Sequence, residues 1–205
     1  DNLVRDNDEE ETDEKSFAFP IYIQEGEVAI SSSKFKDKIE RINGKITLGA
    51  KVKFDVEANL ESLSDKKLKL TGLIKDDKYQ GDILFDRLSL TKLKSKLPLA
   101  ILESSQLGGM LSGKIKARGN FGELPNYFGS INLVDGFVAH NGMKVKQLEG
   151  SFGINKYGIK VKEFSAKYRE FPIKLEGEVF SWDNTQLNLS YNLPQIPLKE
   201  VMKTL

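Results

Sequence analysis

From Ile46 to Leu60 every second residue is apolar or small: Ile46, Leu48, Ala50, Val52, Phe54, Val56, Ala58 and Leu60. Between them stand Thr47, Gly49, Lys51, Lys53, Asp55, Glu57 and Asn59. Successive side chains of a strand point to opposite faces, so the stripe reads as one long strand with a greasy face and a wet face. At about 3.3 Å per residue it would span roughly 50 Å, several times the usual strand. Such a strand suits an elongated, one-sided sheet better than a compact sandwich.

The same alternation recurs along most of the chain. It predicts strands near 19–24, 26–32, 38–48, 50–60, 66–75, 79–90, 110–121, 129–139, 143–154, 157–168, 171–182 and 185–193. Breakers lie between or within them: Glu25-Gly26, Asn43-Gly44, Asp76-Asp77, Asp135-Gly136, Asn141-Gly142 and Asp183-Asn184. Gly72, Gly150 and Gly177 fall inside strands and predict bulges or close backbone approaches. The phase slips between Ile159, Val161 and Phe164, Ala166, Tyr168, which places one extra residue near Lys162-Glu163. Helix is scarce. Residues 91–106 predict a short amphipathic helix on either side of Pro98, and Leu198–Leu205 the start of a second.

An internal repeat organises these strands. Ile21–Val28 (IYIQEGEV) resembles Ile131–Val138 (INLVDGFV), and KIERINGKI (38–46) resembles KVKQLEGSF (144–152). GAKVKFDVEA (49–58) then matches GIKVKEFSAK (158–167), KLKLTGLI (67–74) matches IKLEGEVF (173–180), and ILFDRLSLTKL (83–93) matches LNLSYNLPQIPLKEV (187–201). The order is kept throughout. The expected organisation is an acidic linker over 1–16 and a β-groove segment over 17–205. The segment holds two pseudo-repeats, about 20–100 and 129–205, joined by a short helix and strand. The second copy stops inside its helix, so the expectation is an excerpt of a longer repeating protein.

The stretch 111–179 resembles the AsmA-like family, which includes TamB-type and YhdP-type proteins. The shared grammar is G-x-I-x-L-x-D-G-x-V (129–138), then L-x-G-x-F (148–152), G-x-I-x-V and an L-x-G strand. The resemblance implies an all-β fold: an elongated, twisted antiparallel sheet folded into a taco-like groove, with one or two short helices. It also implies a periplasmic location, with an inner-membrane anchor supplied by a segment absent from this chain. The implied work is conduction of phospholipids between inner and outer membranes, or another part in outer-membrane assembly.

Groove-facing candidates occur on nearly every strand: Ile46, Leu48, Val52, Phe54, Val56, Leu68, Leu70, Ile83, Phe85, Leu111, Ile115, Ile131, Leu133, Ile159, Val161, Ile173, Leu175, Val179, Leu187, Leu189 and Tyr191. Acyl chains need only a continuous apolar floor, because hydrophobic transfer is non-directional. A sixteen-carbon tail gains on the order of 10 kcal/mol by leaving water. Two other readings stand beside the conduit. One is an interaction module that binds strands of outer-membrane proteins. The other is a spacer in which these residues form the dry core of an ordinary sandwich.

Composition narrows the chemistry. The chain has 205 residues, 39% hydrophobic and 30% charged, with no cysteine and a single histidine. No disulfide, thiolate metal site or cysteine nucleophile is available. No apolar run is long enough for a transmembrane helix, and the acidic start is no signal peptide. Asp1, Asp6, Asp8, Glu9, Glu10, Glu11, Asp13 and Glu14 face only Arg5 and Lys15 over the first fifteen residues. Setting these aside leaves 29 basic and 22 acidic residues, a surplus of 7. The run reads as a self-repelling linker, and it lacks the glycine and terminal glutamate of an EF-hand loop.

No catalytic set emerges. His140 stands in a turn-like AHNG without partners of the right type. Ser33…Lys36 has only the spacing of an S-x-x-K motif. Gly108-Gly109…Gly113 lacks the Lys-Ser/Thr of a phosphate loop. Asn188-Leu189-Ser190 fits a glycosylation sequon but falls inside a strand. Lys34, Lys36, Lys38 and Lys92, Lys94, Lys96 read as a solvated face rather than a nucleic-acid surface, which wants interleaved aromatics. Trp182 and Phe180 anchor a strand end or a loop. No enzyme activity and no cofactor are expected.

Overall fold

The computed structural model describes residues 18–31, 36–59, 66–94, 105–169, 171–180 and 186–192. The acidic run, residues 95–104, Leu198–Leu205 and the expected breaker Asp183-Asn184 lie outside them, as do Ser33, Lys34, Lys96 and Trp182. The fold is all-β, one open antiparallel sheet of 11 strands that pair in chain order. The strands are β1 (Phe19–Ser31), β2 (Lys36–Leu48), β3 (Val52–Asn59), β4 (Lys67–Lys75), β5 (Lys78–Ser89), β6 (Gln106–Asn120), β7 (Asn126–His140), β8 (Met143–Asn155), β9 (Gly158–Tyr168), β10 (Phe171–Phe180) and β11 (Gln186–Asn192). The one described helix, α1 (Leu90–Lys94), is a single turn after β5. Thr91 Oγ1 donates to the Leu107 carbonyl at 2.8 Å, and Lys94 Nζ donates to the Ser105 carbonyl, so α1 is tied to the start of β6. Of the helix expected over 91–106, residues 91–94 are helical, and by Gln106 the chain is already strand.

The stripe from Ile46 is two strands and not one. β2 ends at Leu48, the chain bends over Gly49–Lys51, and β3 returns with Phe54 opposite Ile46 and Lys53 opposite Thr47. Paired residues here are both even-numbered or both odd-numbered, so the alternation passes through the turn unbroken. Periodicity alone therefore cannot separate a long strand from this hairpin; Leu60 lies outside the described residues. Conversely, the segments expected at 19–24 and 26–32 fall in one strand over Phe19–Ser31, and Ser32 lies outside the described residues. β1 runs straight through Glu25-Gly26, which forms a bulge rather than a turn.

The bulges give the repeat a structural signature. Gly26 pairs with Ile42 and Val28 with Ile39, leaving Glu25 extra on β1 and Arg41 extra on β2. Gly136 pairs with Leu148 and Val138 with Val145, leaving Asp135 extra on β7 and Gln147 on β8. All four extra residues have positive φ: 49° and 51° in the first pair, 52° and 50° in the second. They are the residues that the sequence repeat aligns, Glu25 with Asp135 and Arg41 with Gln147. Further bulges fall at Arg87 on β5 and at Lys162 on β9, the latter where the phase slip places it. An extra residue bends its strand and increases local twist, so these positions curve the sheet.

Side chains satisfy the backbone that the bulges free. Asn43 Oδ1 accepts from Glu25 N at 3.1 Å, while its Nδ2 donates to the Arg41 carbonyl at 2.9 Å and to Glu25 Oε1 at 3.1 Å. On the far side, Ser112 Oγ accepts from Arg87 N at 3.0 Å and donates to Asp86 Oδ1 at 2.7 Å. Asn43→Ala and Ser112→Ala should each cost about 1 kcal/mol, as for other exposed hydrogen bonds. Urea denaturation midpoints measure this, and an unchanged midpoint for both would remove the stapling role.

Candidate functional site: an apolar floor

Cross-strand partners share a face, so the registers assemble the floor row by row. The longest row crosses all eleven strands: Ile23, Gly44, Val56, Leu70, Ile83, Ile115, Gly129, Ile154, Ile159, Val179 and Leu187. Every member is aliphatic or glycine. Beside it run Phe85, Gly113, Ile131, Phe152, Val161, Gly177 and Leu189, and then Leu88, Leu111, Leu133, Gly150, Phe164, Leu175 and Tyr191. On the other flank stand Ile21, Ile46, Phe54, Gly72, Gly81, Ala117 and Tyr127. Leu48 lies opposite Phe19, Val52 opposite Ile74, Leu68 opposite Ala58, and Ile173 opposite Ala166. Every residue singled out from the sequence as groove-facing is thus on one face of one sheet.

Sequence reasoning left out part of that floor. Ile154, Phe152 and Phe164 sit in the same alternating phase as their neighbours and were findable by it. Close approaches at Gly72, Gly150 and Gly177 are expected from their places inside strands and are found there, whereas which side chain lies over each, and the part played by Gly113, are not legible in the alternation. The Phe54 ring lies over Gly72, where an added Cβ would come within 2.3 Å of Cζ. The Phe85 ring covers Gly113, with Cζ 2.9 Å from the corresponding point, and Phe152 and Phe164 both lean over Gly150. Phe152 and Phe164 stack tilted at 6.2 Å. Large rings thus occupy the space that a side chain at each glycine would take. Gly177 also marks a close approach, to the Asn188 carbonyl.

Nothing else among the described elements roofs this face. The substantial contacts run between strands adjacent in sequence and between α1 and β5 or β6. Among the described hydrophobic residues only Phe85, Leu133 and Ala166 are buried, all three on the floor. Leu70, Ile83 and Leu187 of the central row remain 42%, 37% and 66% exposed. Eleven strands about 4.8 Å apart and four rows about 6.6 Å apart give a surface on the order of 1,000 Å². Contiguous apolar patches on soluble monomers rarely exceed a few hundred Å².

The opposite face is largely polar and carries ion pairs, with Leu84, Phe128, Val134 and Phe180 standing singly exposed on it. Lys69 reaches Asp55 at 3.2 Å, Lys67 reaches Glu57 at 3.5 Å, Lys114 reaches Asp82 at 2.5 Å and Lys160 reaches Glu178 at 3.1 Å. Lys38 bridges Glu27 and Glu40, whose hydrogen bonds raise its pKa above the ordinary lysine value. These pairs are exposed, so each contributes little to stability, and their effect is to keep this side hydrated. Lys92 and Lys94 belong to α1.

The remaining chemical candidates resolve into structure. His140 ends β7, with Nδ1 3.0 Å from Ser105 Oγ beneath α1. Asn141 and Gly142, at φ 47° and 79°, make the following two-residue turn. Gly108, Gly109 and Gly113 lie within β6, and the Phe137 ring covers Gly108 on the wet side. Asn188 and Ser190 are exposed on β11, and Phe180 ends β10 at 41% exposure. Among the described residues no group of His, Cys, Asp and Glu is placed to hold a metal ion. No described helix is long and apolar enough to cross a membrane.

Fold and site together define a single-layer, open β-sheet with a continuous apolar floor. No protein-family model, curated protein or solved structure matches the chain.

Proposed function

We propose that this chain is the lipid-bearing segment of an AsmA-like envelope protein, holding or conducting acyl chains along its apolar floor. The observation that carries the reading is the central row, eleven strands wide without one polar or charged member. Such a strip offers a hydrocarbon chain the same surroundings at every point, so movement along it costs little while departure into water costs about 0.8 kcal/mol per uncovered CH₂. A uniform binding free energy is what a conduit requires, and a single deep pocket is what it avoids. In this reading the protein stands in the periplasm between inner and outer membranes, is anchored elsewhere in a longer polypeptide, and takes phospholipids as its partners. The wet face, laced with ion pairs, meets the aqueous space.

Photo-crosslinking amino acids at Leu70 and Ile83, the exposed centre of the floor, should capture phospholipid in cells that supply it. Crosslinkers at Lys69 and Leu84, the next residues on the opposite face, should not. Equal labelling from both faces, or none from either, would defeat the reading. Phe54 is a poorer position, because its ring is engaged over Gly72.

A further inference from the structure

Four turns lie along one rim of the sheet: 49–51 between β2 and β3, 76–77 between β4 and β5, 121–125 between β6 and β7, and 156–157 between β8 and β9. Turns ordinarily show glycine, proline and short polar side chains to water. The β6–β7 turn shows Leu124, 95% exposed, and beside it Phe121, while Tyr157 stands exposed on the next turn. The turn is braced. Phe121 N donates to the Asp77 carbonyl at 2.8 Å, Glu123 N to the Asn120 carbonyl at 3.3 Å, and Asn120 Nδ2 to Glu123 Oε2 at 2.9 Å. The Phe121 ring leans on Tyr79 with centroids 5.5 Å apart. Leu124 is thus held outward at the tip. At the other ends of these strands the turn Asn141-Gly142 shows a single exposed large hydrophobic side chain, Met143.

The cations of this rim differ from those farther along the polar face. Lys67, Lys69, Lys114 and Lys160 each hold a carboxylate. Lys51, Lys53, Lys75, Lys78, Arg118 and Lys156 hold none among the described residues. Against these six stand the three acids of the same strand ends, Asp76, Asp77 and Glu123, a surplus of three positive charges. Lys156 Nζ lies 4.9 Å from the centre of the Tyr157 ring, so a cation and an aromatic are presented together. Behind Leu124 opens a hollow of about 460 Å³, whose lining includes Lys75, Lys78, Gln80, Arg118, Glu123 and Asn126.

We propose that this rim docks on a bilayer containing anionic lipid, with Leu124 and Phe121 entering the boundary of the acyl region and the cations at the level of the phosphates. Apolar and aromatic tips backed by lysine and arginine match the two halves of that interface, hydrocarbon below and negative charge above. A protein partner would need a socket shaped to a protruding leucine. A bilayer needs none and accepts the tip at any rotation. The hollow behind Leu124 has room for a phosphate-bearing headgroup between Lys75, Lys78 and Arg118. Docking also brings the edge of the floor, at Ile74 and Tyr79, to the bilayer surface. The proposal rests on the rim and does not depend on what the floor carries.

Single fluorescent labels test it, because the chain contains no cysteine. Leu124→Cys and, at the other ends of the strands, Met143→Cys each carry an environment-sensitive NBD group. They are mixed with vesicles of equal parts phosphatidylglycerol and phosphatidylcholine, and with vesicles of phosphatidylcholine alone. On the anionic vesicles the label at 124 should shift to the blue and be quenched by spin-labelled lipid, while the label at 143 stays in water. Co-sedimentation of the unlabelled chain supplies a second readout. Leu124→Ser, which removes a side chain exposed to solvent, should lower partitioning roughly tenfold or more. Lys78→Gln should lower it about fivefold, and Met143→Ser should not change it. Equal shifts at 124 and 143, binding that survives Leu124→Ser, or no binding to the anionic vesicles would each overturn the proposal. So would equal binding to phosphatidylcholine alone, because the cations would then contribute nothing.

Discussion

Replacing Ile115 by aspartate should weaken binding of a long-chain monoacylglycerol some thirtyfold while Lys116→Asp, one residue along, leaves it nearly unchanged. Ile115 sits mid-row between Ile83 and Gly129, whereas Lys116 faces the opposite side, between Asp82 and Phe128. A carboxylate on the floor keeps its hydration and denies contact to a few methylenes. At about 0.4–0.8 kcal/mol for each partly or fully covered CH₂, the loss comes to about 2 kcal/mol. An uncharged probe is needed, because a fatty acid would respond to the added charge on either face. Ile115 is half-exposed already, so the variant should stay folded with only a modest fall in melting temperature. Equal losses from both substitutions would contradict a one-sided floor.

Gly113→Val should destabilise the sheet more than any single substitution on its wet face, by about 3 kcal/mol or more. An added Cβ there would stand 2.3 Å from the Ser130 carbonyl oxygen, 2.9 Å from Phe85 Cζ and 3.1 Å from Ile131 Cα. Two of these neighbours are backbone and cannot yield without breaking the β6–β7 ladder. The third belongs to Phe85, one of the few buried side chains, at 7% exposure. For a chain of this size the expected fall in melting temperature is roughly 6–12 °C. Phe85→Leu, which opens space above the glycine, should recover little, because the backbone contacts remain. Normal stability in Gly113→Val would mean that β6 is not held as closely to β7 as the register indicates.

Much of the sheet was legible because a half-exposed strand must alternate. Its apolar phase puts every groove-facing candidate, from Ile46 on β2 to Tyr191 on β11, on one face of the sheet. The phase slip after Val161 located the Lys162 bulge for the same reason: one extra residue shifts every later side chain to the other face. Two things were hidden. The hairpin at Gly49–Lys51 preserves parity, so Ile46–Leu60 alternates like one strand, although the separate segments 38–48 and 50–60 already part where β2 ends. Glu25-Gly26, Asp135-Gly136 and Asn141-Gly142 look alike as breakers, yet the first two are bulges inside strands and only the third reverses the chain. All three dipeptides supply positive φ at their first residue. What separates them is whether the flanking strand continues its pairing, which is a property of neighbours far away in sequence. The same holds for Gly72 and Gly113. The ring over each comes from the strand alongside and cannot be read from one strand, while Gly150 is covered both by Phe152 of its own strand and by Phe164 of the next. The repeat, by contrast, was more informative than its sequence likeness suggested, because it reproduced the double bulge of β1–β2 in β7–β8 residue for residue.

The central claim is that the open floor holds hydrocarbon by area alone. The most direct measurement is the affinity of the purified chain for uncharged monoacylglycerols of increasing length, each kept below its aggregation concentration. A chain lying on a one-sided floor covers about half its surface, worth roughly 0.4 kcal/mol per CH₂, or twofold in affinity. If the curved sheet wraps the chain fully, the increment approaches about 0.8 kcal/mol, or fourfold. A steady rise of two- to fourfold per methylene, lost in Ile115→Asp, is the predicted result. Affinity that is absent, or that does not change with chain length, would contradict the account.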